Sequence, residues 1–329
     1  MSHSISSNLP AQQNSRLAYF PVALFSSVMG MAGLAIAWLK AAQAFNLPLG
    51  PGIGIRWLAT LLYVFLLIVY TSKLFRFPDE VKKEWCHPVK INFMAAITIG
   101  LLLVSISWLS APGVSKWMWA VATIGHFLLT IAVINSWLNK SHYQITHVNP
   151  AWFIPVVGNI LIPIAGVHHA PADISWFFFS IGLVFWVVLM TIVFYRIFFH
   201  DPLPAKMTPT LFILIAPPSV AFISYLALNH HQLDGFARVL YFFALFLTLL
   251  LASNALRFFR LPFALSAWAY SFPLAAITIA TTEMATQSAG SFYSLLAGLL
   301  LFVLSGIILI LTYRTLLAVK RKQICLPEH

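Results

Sequence analysis

The sequence has 329 residues, of which 60% are hydrophobic and 8% are charged, whereas soluble domains carry roughly 25% charged residues. This composition excludes an ordinary soluble enzyme or binding domain and predicts a protein that crosses a lipid bilayer several times. Basic loops beside anionic headgroups account for the formal net charge of +11, so the charge does not indicate a nucleic-acid partner. A basic cytoplasmic rim would also concentrate anions near the protein.

The chain divides into ten apolar segments, each close to the roughly 20 residues that a spanning helix requires. We therefore predict an all-α polytopic membrane protein with one transmembrane domain over residues 16–318, flanked by cytoplasmic segments over residues 1–15 and 319–329. Residues 1–15 lack the pattern of a removable signal peptide. The predicted helices are Phe20–Ala44, Arg56–Phe75, Pro88–Leu109, Lys116–Leu138, Pro150–Val167, Ile174–Phe199, Ala205–Leu228, Gly235–Phe258, Pro262–Met284 and Ser291–Ala318.

The distribution of basic residues predicts the orientation of the chain. An even number of spans places both termini on one side of the membrane, and the side richer in Lys and Arg is cytoplasmic. All but four of the 19 Lys and Arg residues fall on the side of the termini, so both ends should be cytoplasmic. The four exceptions are Lys40, Arg56, Lys116 and Arg238.

The connection between the second and third helices, PDEVKKEWCHPVK, is the longest charged one. It is expected to be a loop or a short interfacial helix whose acidic and basic side chains neutralise one another at a solvated surface. Cys86 lies in this connection and Cys325 near the C-terminus. Both should face the cytoplasm, where thiols stay reduced, so no disulfide is predicted.

Prolines within the predicted spans occur only in odd-numbered helices. Broken backbone is tolerated at membrane depth only where protein buries it or a water-filled cavity receives it. The odd helices should therefore form an inner ring and the even helices an outer one, as five pseudo-fivefold helix hairpins. The expected kinks are at Pro155, Pro163, Pro217 and Pro273, with Pro218 beside the third of these.

The inner helices are also rich in small residues, among which Gly30, Ser219 and Ser271 are candidates to line a pore. Small residues serve either close helix packing or an aqueous passage, and the sequence leaves both roles open. The middle of each inner helix lacks Asp, Glu, Lys and Arg, whereas proton-coupled and pumping carriers usually keep ionisable groups there. This absence favours a passive path for anions.

Metal, haem and nucleotide sites are not expected. The adjacent histidines at 168–169 and 230–231 fall in outer connections without carboxylate or Cys companions. His126 is the one histidine within a predicted span, which does not suffice for bis-histidine haem ligation. The run GPGIGI follows no strand, so it is not a dinucleotide loop. No cofactor is predicted, and no catalytic spacing indicates an enzyme.

The stretch RFFRLPFALSAWAYSFPLAAITIATTE, from Arg257 to Glu283, contains the pattern F-x-x-x-x-W-x-Y-S-F-P, which begins at Phe263 and ends at Pro273. This pattern resembles the ninth helix of the tellurite-resistance/dicarboxylate transporter family, which includes the plant guard-cell slow anion channel. Four further stretches agree and extend the resemblance from about Tyr19 to Thr315. They are FPVALFSSVMGMAGLA, EWCHPVKINF, NPAWFIPVVGNILIPIAG and PTLFILIAPPSVAFISY.

The resemblance implies a ten-helix anion channel, a pore lined by the odd-numbered helices, a homotrimer and a phenylalanine gate that falls on Phe263. From the residues alone, packing of Phe263 at a helix start beside Pro262 is the favoured role. The family motif instead favours a gate at this position.

We therefore expect a gated channel for small anions in a bacterial inner membrane, associated through its family with tellurite resistance. The alternative is a secondary carrier of dicarboxylates or of oxyanions such as tellurite, as the family's name suggests. The lack of ionisable residues within the inner helices favours the channel over the carrier.

Overall fold

The computed structural model describes residues 15–288 and 291–326, and their regular structure is entirely helical. Short 3₁₀ segments join or precede several of the α-helices. The predicted all-α class is therefore confirmed. The α-helices are α1 (Phe25–Phe45), α2 (Gly50–Arg76), α3 (Pro78–Cys86), α4 (Ile91–Ser107), α5 (Pro112–Asn139), α6 (Phe153–Val157), α7 (Ile162–His169), α8 (Ala172–Phe199), α9 (Ala216–Leu228), α10 (Gly235–Ala252), α11 (Ala255–Phe259), α12 (Ser271–Gln287) and α13 (Ser291–Lys320).

The chain is a multi-pass membrane protein. In the described part of the chain, 8 helices are long and apolar enough to cross a membrane, or 9 if the bent pair α3 and α4 forms one span. The ninth of the ten predicted helices is not among these spans and is not a single long α-helix. It begins as extended chain and a 3₁₀ segment, Leu265–Tyr270, before the 17 residues of α12.

Burial alternates along the chain. The odd-numbered spans Val22–Phe45, Pro150–His169 and Thr208–Leu228 are 72%, 83% and 78% buried over their most apolar windows, whereas the even-numbered spans are 22% to 39% buried. We call α1, α4, α6–α7, α9 and α12 the buried helices. We call α2, α5, α8, α10 and α13 the outer helices, whose exposed Leu, Val and Phe side chains suit contact with lipid tails.

The buried helices contact one another in a closed circuit. Helix α1 contacts α4, α4 contacts α6, α7 contacts α9, α9 contacts α12, and α12 returns to α1. Each outer helix packs against the buried helix that precedes it in the chain.

The four prolines predicted as kinks all lie in the first turn of an α-helix. Pro163 and Pro217 are the second residues of α7 and α9, and Pro155 and Pro273 are the third residues of α6 and α12. The first N–H groups of an α-helix have no helical partner, so a proline there costs no hydrogen bond. Each of these helices follows a 3₁₀ segment, namely Pro150–Trp152, Gly158–Leu161, Thr208–Ile215 or Leu265–Tyr270.

The charged connection after α2 forms the helix α3, with Asp79 and Glu80 in its first turn and Lys83 in its last. These charges complement the helix dipole. The axis then turns by 105° into α4. At the other end of α2, the helix starts at Gly50 and not at the predicted Arg56, since Pro51 is well suited to a first helical turn.

One carboxylate of that connection is not solvated, contrary to the prediction. Glu84 is buried and lies 3.0 Å from the ammonium group of Lys73, which is also buried. The Tyr70 hydroxyl donates to Glu84 at 2.8 Å, and the Val22 N–H donates to its other oxygen at 3.4 Å. Lys73 also donates to the Phe20 carbonyl at 2.8 Å. This cluster holds the start of the first buried span against α2 and α3.

Candidate permeation pathway

A small cavity lies among the amino-terminal halves of the buried helices and their 3₁₀ segments. This amino-end cavity has a volume of about 70 Å³ and is lined by residues that include Ser26, Phe93, Phe153, Pro217 and Pro273. Among the described residues that line it, none is charged. The five helix amino termini nearby supply partial positive charge, which favours anions without binding them tightly.

A larger cavity lies among the carboxyl-terminal halves of the same helices. This carboxyl-end cavity has a volume of about 450 Å³. Its lining includes the charged side chains of Lys40, Arg56 and Glu283, together with His168 and His231. It is therefore the polar end of the pathway.

Three residues line both cavities and so lie between them: Leu161, Val220 and Phe272. They come from the 3₁₀ segment before α7, from α9 and from α12. All three are apolar and buried. An apolar constriction between two cavities excludes water and opposes the passage of a hydrated ion.

Phe272 owes its position to close packing between α12 and α1. A methyl group added to Gly33 would lie 3.6 Å from Cδ2 of Phe272, an ordinary contact distance, and 2.8 Å from Cβ of Ala275, which is too close, so the missing side chain lets α1 approach α12. The preceding Ser271 donates its hydroxyl to the Trp268 carbonyl at 2.6 Å. The Trp268 indole in turn donates to Thr315 of α13 at 3.0 Å. These contacts fix the start of α12, where Phe272 is the second residue.

Phe263, the predicted gate, occupies a different place. It lies in non-helical chain before the 3₁₀ segment Leu265–Tyr270, is half-buried, and packs on the edge of the hydrophobic core. It is not among the residues that line either cavity. The sequence motif contains both Phe263 and Phe272. Phe272, in the Phe-Pro pair that ends the motif, is the phenylalanine that lies between the cavities.

The three candidate pore-lining residues are buried in helix contacts and do not line either cavity. A Cβ at Gly30 would overlap the side chain of Ser271, so these two residues face each other between α1 and α12. Ser219 donates its hydroxyl to the Ile215 carbonyl at 2.8 Å. Of the two roles that the sequence left open for these small residues, the geometry corresponds to close packing.

A buried polar cluster supports the broken helix α6–α7 beside the constriction. The Thr130 hydroxyl of α5 lies 2.7 Å from the Pro155 carbonyl, which it can reach as a donor. The amide of Asn159 donates to Thr130 at 2.9 Å and to the Val156 carbonyl at 2.7 Å. Side chains thus satisfy backbone groups that a continuous α-helix would pair internally. Thr130 and Asn159 are 29 residues apart along the chain, so no local sequence pattern indicates this cluster.

Comparison with known proteins identifies the relatives of this chain. The sequence model of a family described as SLAC1, voltage-dependent anion channel, matches residues 19–316. The chain is 28% identical over 281 residues to the S-type anion channel SLAH3 of Arabidopsis thaliana. It is 28% identical over 312 residues to the guard cell S-type anion channel SLAC1 of the same plant. It is 23% identical over 305 residues to a tellurite resistance protein TehA homolog of Haemophilus influenzae.

These matches differ in how much of each relative they cover. They include 82% and 92% of this chain but 44% and 56% of the two plant proteins, so the chain spans about half the length of those relatives. The bacterial match covers 89% of both chains. The resemblance inferred from the sequence motifs is confirmed.

Proposed function

Because this chain belongs to the voltage-dependent anion channel family, we propose that it is a gated channel that conducts small anions along the axis of the five buried helices. The observation that carries the proposal is the pair of cavities at opposite ends of these helices, separated by Leu161, Val220 and Phe272. We further propose that the buried helices form a pseudo-fivefold ring within ten spans, with α4 and the segment Leu265–Gln287 as the spans that raise the count to ten.

The closing element in this proposal is the ring of Phe272. An anion that reaches the constriction loses hydration and meets no polar group in exchange, which raises a high barrier. Removing the ring would join the two cavities and let water bridge them. The gate predicted at Phe263 remains an alternative assignment, which the same experiment tests.

The proposal also covers the orientation of the chain in the membrane and its oligomeric state. The basic residue distribution supports cytoplasmic termini in a bacterial inner membrane, with the amino-end cavity facing the cytoplasm. The homotrimer is proposed from the family resemblance. A carrier of dicarboxylates or of oxyanions such as tellurite is the second candidate, and the tellurite resistance in the name of the Haemophilus influenzae relative favours tellurite as its substrate. The uncharged amino-end cavity and constriction favour the channel.

The decisive experiment records currents through purified protein in planar bilayers under chloride, nitrate and malate gradients. We expect Phe272→Ala to conduct at least about tenfold more than wild type. Lowering the free-energy barrier to permeation by about 1.4 kcal/mol is enough for a tenfold increase in rate. Phe272→Leu should be intermediate. Phe263→Ala is the matched control and should conduct like wild type.

Folding must be verified in parallel, because truncating a packed Phe costs about 3–5 kcal/mol. Large currents from Phe263→Ala with none from Phe272→Ala would return the gate to Phe263. If both variants are well folded and neither conducts anions, the channel proposal is contradicted and the carrier is favoured.

A further inference from the structure

The carboxyl-end cavity lies where the helix dipoles oppose anions. Its lining includes residues from the carboxyl-terminal halves of the buried helices, among them Lys40 and Gln43 of α1, Ser107 of α4, His168 of α7 and Glu283 of α12. Each helix carboxyl terminus carries about half a negative charge. The carboxyl ends of the buried helices therefore repel an anion in this cavity, whereas their amino ends attract an anion in the amino-end cavity.

Two cations in the cavity wall offset this repulsion. Lys40 and Arg56 are the only Lys or Arg residues among the described residues that line either cavity. Arg56 is fixed in place, since it donates to the Ser110 hydroxyl at 2.9 Å and its guanidinium carbon lies 4.1 Å from the centre of the Trp108 ring. A guanidinium stays protonated at any physiological pH.

One carboxylate limits the effect of these cations. Among the described lining residues of the two cavities, Glu283 is the only acidic one. Its carboxylate lies 2.6 Å from the Lys40 ammonium group, and the side chains are 12% and 40% exposed, respectively. The ion pair joins α12 to the neighbouring α1. The negative charge of Glu283 lowers the formal charge of the cavity wall from the two positive charges of Lys40 and Arg56 to one.

We infer that the Lys40–Glu283 pair sets how strongly the carboxyl-end cavity attracts anions, with Glu283 acting as a built-in competitor for Lys40. The inference rests on the proposed anion conduction. With Glu283 in place, the cavity offsets the helix dipoles without trapping the ion, as a conducting site must. Without Glu283, Lys40 would be free to bind the permeating anion.

The test uses single-channel recordings in the Phe272→Ala background at low ionic strength, about 0.01 M, where charges act over about 30 Å. Adding Glu283→Gln should raise the current of anions that enter from the carboxyl end by about two- to tenfold, and Lys40→Gln should lower it similarly. The double variant Lys40→Gln/Glu283→Gln keeps one net positive charge through Arg56. It should therefore conduct like the background channel.

Glu80→Gln is the matched control, because Glu80 also pairs with a lysine, Lys83, at 2.6 Å but lies on α3 and lines neither cavity. It should leave the current unchanged. At about 1 M salt the Debye length is only 3 Å, so all differences should vanish.

The outcomes separate the two proposals. Currents in the Phe272→Ala background that are insensitive to Glu283→Gln and Lys40→Gln overturn this inference alone. A change that persists at high salt, or a double variant that behaves like either single one, also overturns it. If neither folded Phe272→Ala protein nor folded Phe263→Ala protein carries anion current, the proposed function and this inference are contradicted together. If only Phe263→Ala conducts, the same charge variants are tested in that background.

Discussion

Gly30 of α1 lies so close to Ser271 of α12 that a methyl group on Gly30 would overlap the serine side chain. One turn further along α1, a methyl group on Gly33 would lie 2.8 Å from Cβ of Ala275. These two glycines let the first and last buried helices approach each other closely, as small residues do between membrane helices. The contact closes the circuit of buried helices and fixes the residue after Ser271, which is Phe272.

Gly30→Ala should therefore displace the start of α12. We expect a loss of about 1–3 kcal/mol of stability, which is typical of an overpacked core, and a basal anion current above that of wild type. Thermal unfolding in detergent and bilayer recordings measure the two effects. The control is Gly54→Ala on α2, where the added methyl group meets open space. Equal behaviour of the two variants would show that the contact can relax without consequence.

The hydroxyl of Thr130 should matter far more than an ordinary helical threonine. Thr130→Val keeps the shape but deprives the Pro155 carbonyl of a donor and the Asn159 amide of an acceptor. Leaving such buried groups unpaired costs about 1–3 kcal/mol. The control is Thr191→Val on α8, whose exposed hydroxyl bonds only its own helix, to the Val187 carbonyl. Comparable melting temperatures for the two variants would contradict a supporting role for the cluster.

The buried pair Lys73–Glu84 should be much more sensitive than the exposed pair Lys83–Glu80. Lys73→Met leaves the Glu84 carboxylate buried without its cation, which costs about 3–5 kcal/mol. Lys83→Met removes an exposed partner and should cost at most about 1 kcal/mol. Thermal unfolding of the two variants in the same detergent gives the comparison. A similar, small loss from both would mean that water reaches Glu84.

Asp234 should contribute to stability in a pH-dependent way. It caps α10 by accepting the Ala237 N–H at 2.9 Å, and it also accepts the Tyr225 hydroxyl. These bonds, the backbone one foremost, lower the pKa of the Asp234 carboxyl below its usual value. A carboxyl with a lowered folded-state pKa stabilises the fold above its unfolded pKa of about 4 and loses that contribution as pH falls further.

The melting-temperature difference between wild type and Asp234→Ala should accordingly be largest near neutral pH. It should shrink as the pH falls below about 4 and on through the lowered folded-state pKa of Asp234. Thermal scans of both proteins at several pH values between about 3 and 7 provide the measurement. A difference that stays constant over this range would assign the cap a role independent of its charge.

The sequence was informative where a property is local to one helix. Prolines at Pro155, Pro217 and Pro273 distinguished the helices that are buried from those that are not, because a membrane permits broken backbone only inside the protein. The sequence did not indicate how far along the pathway between the cavities a given side chain lies. Phe263 and Phe272 occupy the same motif, and their relation to the cavities depends on the extended and 3₁₀ chain between them.

Pairing between distant segments was also hidden. Glu84 looked like one solvated charge among several, and only the approach of α2 brings Lys73 to it. Likewise, the ion pair between Lys40 and Glu283 forms only because α1 and α12 are neighbours. Such contacts join positions far apart along the chain, and no spacing rule within a single sequence reports them.

The 3₁₀ segment Leu265–Tyr270 ends two residues before Phe272, so a change in its winding would move the side chain proposed as the gate. A 3₁₀ helix rises about 2.0 Å and turns about 120° per residue, whereas an α-helix rises about 1.5 Å and turns about 100°. Rewinding these six residues as α-helix would shorten the segment by about 3 Å and rotate whatever follows it by about 120°. Phe272 would then shift along the axis of the helical segment and rotate around that same axis in one combined movement.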